Sequence, residues 1–93
     1  MIENIEEIIK LIEDSRWDEA RELARGSPGA LQAINAIKNL TRNGVVEKED
    51  LEKIKGLKAN ILNMIQSRWL SEFDVEYFTL IFAYIEHAEG KIR

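Results

Sequence analysis

Between Lys53 and Ser71 the chain reads KIKGLKANILNMIQSRWLS, a stretch that holds Lys53, Lys55, Lys58 and Arg68 and no acid. Cationic heads track phosphates by charge and the Asn60 and Asn63 amides can touch base edges, so this pattern suits nucleic-acid or anion binding. Lys38 and Arg42 would join the patch if the preceding helix lies alongside. Residues 1 to 25 sum to -4, residues 26 to 70 to +3 and residues 71 to 93 to -3, so a net charge of -4 conceals a basic middle. The average surface nevertheless repels phosphate backbones and anionic membranes. No recognition-helix, zinc-finger or aromatic RNA-binding motif accompanies the lysines. The same lysines would also serve simply to solubilise a long helix and pair with Glu47, Glu49 and Glu52.

Other chemistry is poorly supplied. His87 is the only histidine, and with Glu86 and Glu89 it falls short of the repeated Glu-x-x-His pairs of a di-iron bundle, so no metal is expected. In the last turn of a helix it suits the negative end of the dipole. The absence of cysteine removes disulfides, thiol nucleophiles and thiolate metal sites. Ser15, Ser27, Ser67 and Ser71 have no assembled base, and the five glycines are too scattered for a phosphate-cradling loop. Carboxylate pairs such as Glu6-Glu7 and Glu49-Asp50 fall on solvated helical faces rather than in a cleft. No catalytic residues, cofactor or small-molecule substrate are expected, and an enzyme is the least supported class.

Every segment that could position these groups has helical periodicity. Ile2, Ile5, Ile8, Ile9 and Ile12 recur at spacings of three and four and define a first amphipathic helix. Ser15 and Asp18 have capping-box spacing ahead of a short second helix with Trp17, Ala20, Leu23 and Ala24 on its apolar face, ended by Gly26. Ser27 and Pro28 open a third helix bearing Ala30, Ala33, Ile34, Ile37 and Leu40, which Asn43-Gly44 stops. After Val45-Val46 a long fourth helix is expected from Lys48 to Leu70, with Leu51, Ile54, Leu57, Ile61, Met64, Ile65 and Trp69 on its apolar arc. Lys58 falls inside that arc, so its stem must snorkel to water or, if buried, meet an acid such as Glu86. Arg68, at the edge of the arc, could meet an acid from a second chain. Gly56, Asn60, Asn63 and Ser67 form an uncharged strip on the opposite side, suited to close approach by another helix. Asp74 is read as the N-cap of the last helix, with Phe73 and Phe78 as its hydrophobic staple.

The last helix is the greasiest segment: eight of the nine residues from Tyr77 to Ile85 are aromatic or aliphatic. On a helical wheel its apolar residues span roughly 220°, leaving Glu76, Thr79, Ala83, Glu86 and His87 in the remaining polar arc. Charges at Glu76 and Glu86 bracket the run too closely for a membrane span. Either the other helices cover this helix from several sides, or they cover part of it and leave an edge for a second chain. That edge would be Tyr77, Leu80 and Tyr84, or on the opposite side Val75, Phe78 and Phe82; tyrosines suit interfaces because they join an apolar body to a water-tolerant hydroxyl.

The run SRWDEARELA, residues 15 to 24, resembles the turn and second helix of a tetratricopeptide hairpin. The likeness covers ten residues and no second copy exists, so no family is assigned. The expected fold is all-α: one domain, residues 1 to 93, forming a compact bundle of four to five antiparallel helices with the C-terminal helix central. The expected function is a non-catalytic protein-protein interaction module, a homodimer or a small subunit of a larger assembly, with nucleic-acid binding through the acid-free stretch as the alternative. MIENIEEIIKLIEDS has neither the basic start nor the cleavage site of a signal peptide, so a cytoplasmic location is expected. Abundant Glu, Lys and Ile hint at a thermophilic source, against which stand six asparagines.

Overall fold

The computed structural model describes residues 4–41, 47–67 and 69–92, and among them it is all-α. Five helices follow in order: α1 (Ile5–Glu13), α2 (Trp17–Leu23), α3 (Pro28–Leu40), α4 (Leu51–Ser67) and α5 (Glu72–Ile92), with a 3-10 turn at Lys48–Asp50 leading into α4. The expected contributions of Ile2, Asn43-Gly44 and Val45-Val46 lie outside the described residues.

Helix α1 buries Ile8, Ile9, Leu11 and Ile12, as the spacing of its apolar residues requires. Its end corrects one reading of the sequence. Ser15 is not the N-cap of α2; it ends α1 in the left-handed conformation, with φ 59°. Its amide donates to the Ile12 carbonyl at 3.0 Å and the Arg16 amide reaches back to the Leu11 carbonyl at 2.8 Å. This pair of bonds is a Schellman motif, in which the last free carbonyls of a helix find donors. Arg16 becomes the N-cap of α2 and its side chain pairs with Glu19, one turn on. A serine in left-handed backbone carries a steric cost that glycine avoids, so Ser15→Gly is expected to raise stability by about 0.5 to 1 kcal/mol, measured by urea unfolding.

Gly26 occupies the next left-handed position, with φ 93°, and turns the chain into α3. Ser27 bends the backbone there but supplies no side-chain cap: its Oγ is buried without a hydrogen-bond partner among the described residues. The cap comes from elsewhere in the chain. The Gly29 amide, in the first turn of α3, donates to Glu76 Oε1 of α5 at 3.1 Å. Glu76, placed on the polar arc by the helical wheel, is only 6% exposed. The positive end of the α3 dipole and an otherwise unpaired amide explain why a carboxylate is tolerated there.

That contact needs close approach of two backbones. A Cβ on Gly29 would lie 2.7 Å from the Glu76 Cβ and 2.9 Å from the Tyr77 amide nitrogen, and nearer still to the Phe73 carbonyl oxygen. With Ala30 and Ala33 fully buried beside it, α3 offers α5 a face of small residues, and these two helices share the most extensive packing in the molecule. Ile34, Ile37 and Leu80 are fully or almost fully buried. Helix α5 also packs on α1 and α4, whereas α4 packs chiefly on α5 and on the 3-10 turn that precedes it.

The start of α5 also differs from the reading of Asp74 as N-cap. The helix begins at Glu72, and Ser71 and Asp74 form a reciprocal box: the Asp74 amide donates to Ser71 Oγ at 3.1 Å and the Ser71 amide to Asp74 Oδ2 at 3.2 Å. The staple positions therefore pass from Phe73 and Phe78 to Leu70 and Val75. Helix α4 ends at Ser67, short of Leu70, so Trp69 lies outside the helix and is 98% exposed rather than part of an apolar arc.

The Cα radius of gyration is 12.6 Å, against about 12.3 Å for a compact chain of this length. The extents of 33 × 31 × 19 Å describe a slab. Its thin dimension is about two helix diameters.

Candidate interaction surface

The residues proposed as a partner edge separate into two groups. Leu80 is fully buried, and Tyr84 and Phe78 are 5% and 6% exposed, so this conformation of the single chain leaves almost none of their surface for a second one. Tyr77 and Phe82 are half-buried. The Tyr77 ring lies 6.4 Å from that of Phe73, stacked, and meets Phe78 edge-on at 5.4 Å. Burial pushes the Tyr84 phenol up to about 12, with smaller pushes in the same direction from Glu13 and Asp50, opposed by a hydrogen bond with Thr41.

The described basic residues differ in what they face. Lys38, on α3, stands 5.7 Å over the Trp17 ring of α2 in a cation-π contact. Lys53 and Lys55 are exposed on α4, and Lys55 approaches Glu52 at 3.9 Å. Asn60 and Asn63 are exposed, while Arg42 and Arg68 lie outside the described residues. Lys58 answers the question its position raises. It is half-buried, its stem crosses the apolar arc, and its Nζ ends 2.6 Å from Glu86 Oε1 and 2.9 Å from Glu89 Oε1, with the Phe82 ring centroid 5.5 Å away. Hydrogen bonds to Glu86 and then to Glu89 hold the ammonium above the usual lysine range. This pin joins α4 to the C-terminal half of α5. Glu89 itself is only 5% exposed.

A second tie lies on the other side of α5. Glu13, at the end of α1, receives His87 Nε2 at 3.2 Å and Lys91 Nζ at 2.9 Å. His87 thus has a partner on another helix as well as a position in the last turns of its own. Among the described residues no three His, Asp or Glu side chains gather in a way that could hold a metal ion. Nor is any described helix long and apolar enough to cross a membrane.

The surface that stands out is apolar. Leu62, Met64, Phe73 and Val75 are each more than two-fifths exposed, and Trp69 is almost wholly so. These five belong to the second half of α4, the link that follows, or the first turn of α5, while Leu40 at the end of α3 is 63% and Leu23 of α2 38% exposed. Two open grooves flank α4. One runs between Leu62, Ile65, Leu70, Val75, Phe78 and Phe82, and the other passes Leu40, Leu57, Met64, Phe73 and Tyr77. Gly56 lies nearby on α4, exposed, with no atom within 4 Å of where its Cβ would stand. The wheel placed Met64 and Ile65 inside an apolar arc but could not say that only one side of α4 would be covered. Leu62, outside the arc drawn for the core, was the missed signal.

Compared with protein-family models, curated proteins and solved structures, the chain matches none.

Proposed function

We propose that this chain is a non-catalytic protein-protein interaction module whose partner is a second copy of itself, docked over α4 and the first turn of α5. In this reading α5 is the central helix of an antiparallel bundle, and α4 is the layer that the partner covers. The observation that carries it is that Leu62, Met64, Trp69, Phe73 and Val75, from the second half of α4, the following link and the first turn of α5, stay exposed beside the two grooves that flank α4. Large exposed apolar patches mark interaction sites.

The total area supports the same reading. The chain exposes 6212 Å², against about 5500 Å² for a compact monomer of its mass. The slab therefore keeps about 700 Å² more surface exposed than a compact chain of its mass would. Nucleic acid is the weaker alternative, because Lys55 and Lys58 already face carboxylates and Lys38 lies over an aromatic ring.

Sedimentation equilibrium across a hundredfold concentration range is expected to give a dimer for the wild type. The double variant Leu62→Glu with Val75→Glu should be monomeric and fold with unchanged helicity, because both side chains are already near half exposed. A wild-type chain that is monomeric at every concentration would overturn the homodimer.

A further inference from the structure

A second feature borders one of the grooves beside α4, with which it shares Leu40 and Leu57. Between the C-terminal part of α3, the first turns of α4 and the second half of α5 lies a cavity of about 130 Å³. Protein interiors are close-packed, and voids much larger than one water molecule are few in any domain. This one exceeds the roughly 30 Å³ that a water occupies in the liquid several times over. Its apolar wall is made by Ile37, Ile54, Leu57, Ile81, Ile85 and the ring of Tyr84, with the exposed Leu40 at its rim. Five of these six are less than 9% exposed, so the floor belongs to the packed core, while the mouth opens to solvent beside Leu40 and Lys53.

Among the described residues, the polar groups of the lining are Thr41, Asp50 and Lys53. Thr41 already donates its hydroxyl to the Ile37 carbonyl at 2.7 Å and is hydrogen-bonded with Tyr84. Asp50 accepts from the Glu47 amide at 3.0 Å through Oδ2, which leaves its other oxygen as an acceptor for a small donor. Glu47 and Glu49 line the adjoining surface with Asp50 and Lys53, so among the described residues this end of the cavity has a negative balance.

We propose that this cavity is a binding site for a small neutral ring molecule, an apolar body of about six carbons carrying one hydroxyl or ring N-H directed at the Asp50 carboxylate. Size sets the class. An engineered apolar cavity of about 150 Å³ accepts benzene, whereas drug-sized ligands and coenzymes need roughly 300 Å³ or more. Nucleotides, coenzymes and lipid chains are therefore too large. The negative balance near Asp50 selects against carboxylates of the same size, because a like charge beside Glu47, Glu49 and Asp50 is repelled.

The test titrates the intact protein with phenol and, separately, with benzoate, following backbone and methyl shifts by NMR. Phenol should saturate with a Kd below about 1 mM, a value within reach of the affinity per heavy atom seen for very small ligands. The largest shifts should fall on Ile37, Ile54, Ile81 and Ile85, and benzoate should bind at least tenfold more weakly. Ile54→Phe, which fills the space, should remove phenol binding. If that variant fails to fold, Asp50→Asn supplies the second arm, since it should reduce the preference for phenol over benzoate. Non-saturating shifts, shifts centred on Leu62 and Val75, or equal binding of phenol and benzoate would each overturn the proposal.

Discussion

Gly29→Ala is expected to cost at least about 3 kcal/mol and to leave little folded protein at room temperature, because the added methyl group meets backbone and not a movable side chain. Its Cβ would fall 2.7 Å from the Glu76 Cβ and 2.9 Å from the Tyr77 nitrogen, with the Phe73 carbonyl oxygen closer still. Relief requires α3 to move off α5 along the best-packed contact in the molecule. Overpacking of a well-packed core costs about 1 to 3 kcal/mol even where side chains can adjust. Here the adjustment would also stretch the bond from the Gly29 amide to Glu76, leaving a donor and a carboxylate buried without each other. The measurement is urea unfolding followed by helical circular dichroism. Gly56→Ala is the control: it adds the same methyl group where no atom stands within 4 Å, and should be neutral or stabilising. A fully stable Gly29→Ala chain would mean that α3 and α5 do not meet at this point.

Tyr84→Asp is expected to unfold the chain rather than to release a folded monomer. Tyr84 is 5% exposed and lines the cavity between α3, α4 and α5, so the variant removes a large ring and puts a carboxylate in its place. Loss of a buried aromatic ring costs about 3 to 5 kcal/mol, and burial of an unpaired charge adds several more. That total is comparable with the whole stability of a small domain, about 5 to 15 kcal/mol. A folded, monomeric Tyr84→Asp chain would return Tyr84 to the partner surface.

The same burial predicts how the protein responds to alkali. Because the folded phenol is raised from its ordinary value of 10.0 to about 12, its contribution is fully present below pH 10 and is lost as the pH rises through about 12. Two pKa units correspond to about 2 to 3 kcal/mol. Lys58, also held above its ordinary range, acts in the same direction: its pairing with Glu86 and Glu89 is present below its ordinary range and lost as the pH rises above it. Tyr84→Phe separates the two, since it should reduce the loss of stability between pH 10 and 12 and leave the Lys58 component.

Much of the architecture was legible in the residues. The isoleucine spacing of α1, the glycine at 26, proline at 28 and the apolar run of α5 specify helices and their order through local geometry: side-chain period, left-handed turns and a missing amide hydrogen. Errors occurred where two local solutions compete. Ser15 can cap the helix ahead of it or close the one behind it, and Ser71 and Asp74 both carry an acceptor for the same helix start. Neither choice can be read from spacing, because both satisfy the same unpaired backbone groups.

What the sequence determined by itself is an all-α chain without thiol chemistry and with more apolar surface than one helical stripe requires. What only the tertiary structure decided is which of that surface is used. Leu80 and Tyr84 go into the core while Leu62, Trp69 and Val75 remain outside, and a glutamate on a nominally polar arc becomes the buried cap of another helix. The physical reason is that a helical wheel records direction around one axis, whereas burial depends on where neighbouring axes cross. The small face of Gly29, Ala30 and Ala33 draws α3 against α5, and that crossing settles which residues face the core and which remain exposed.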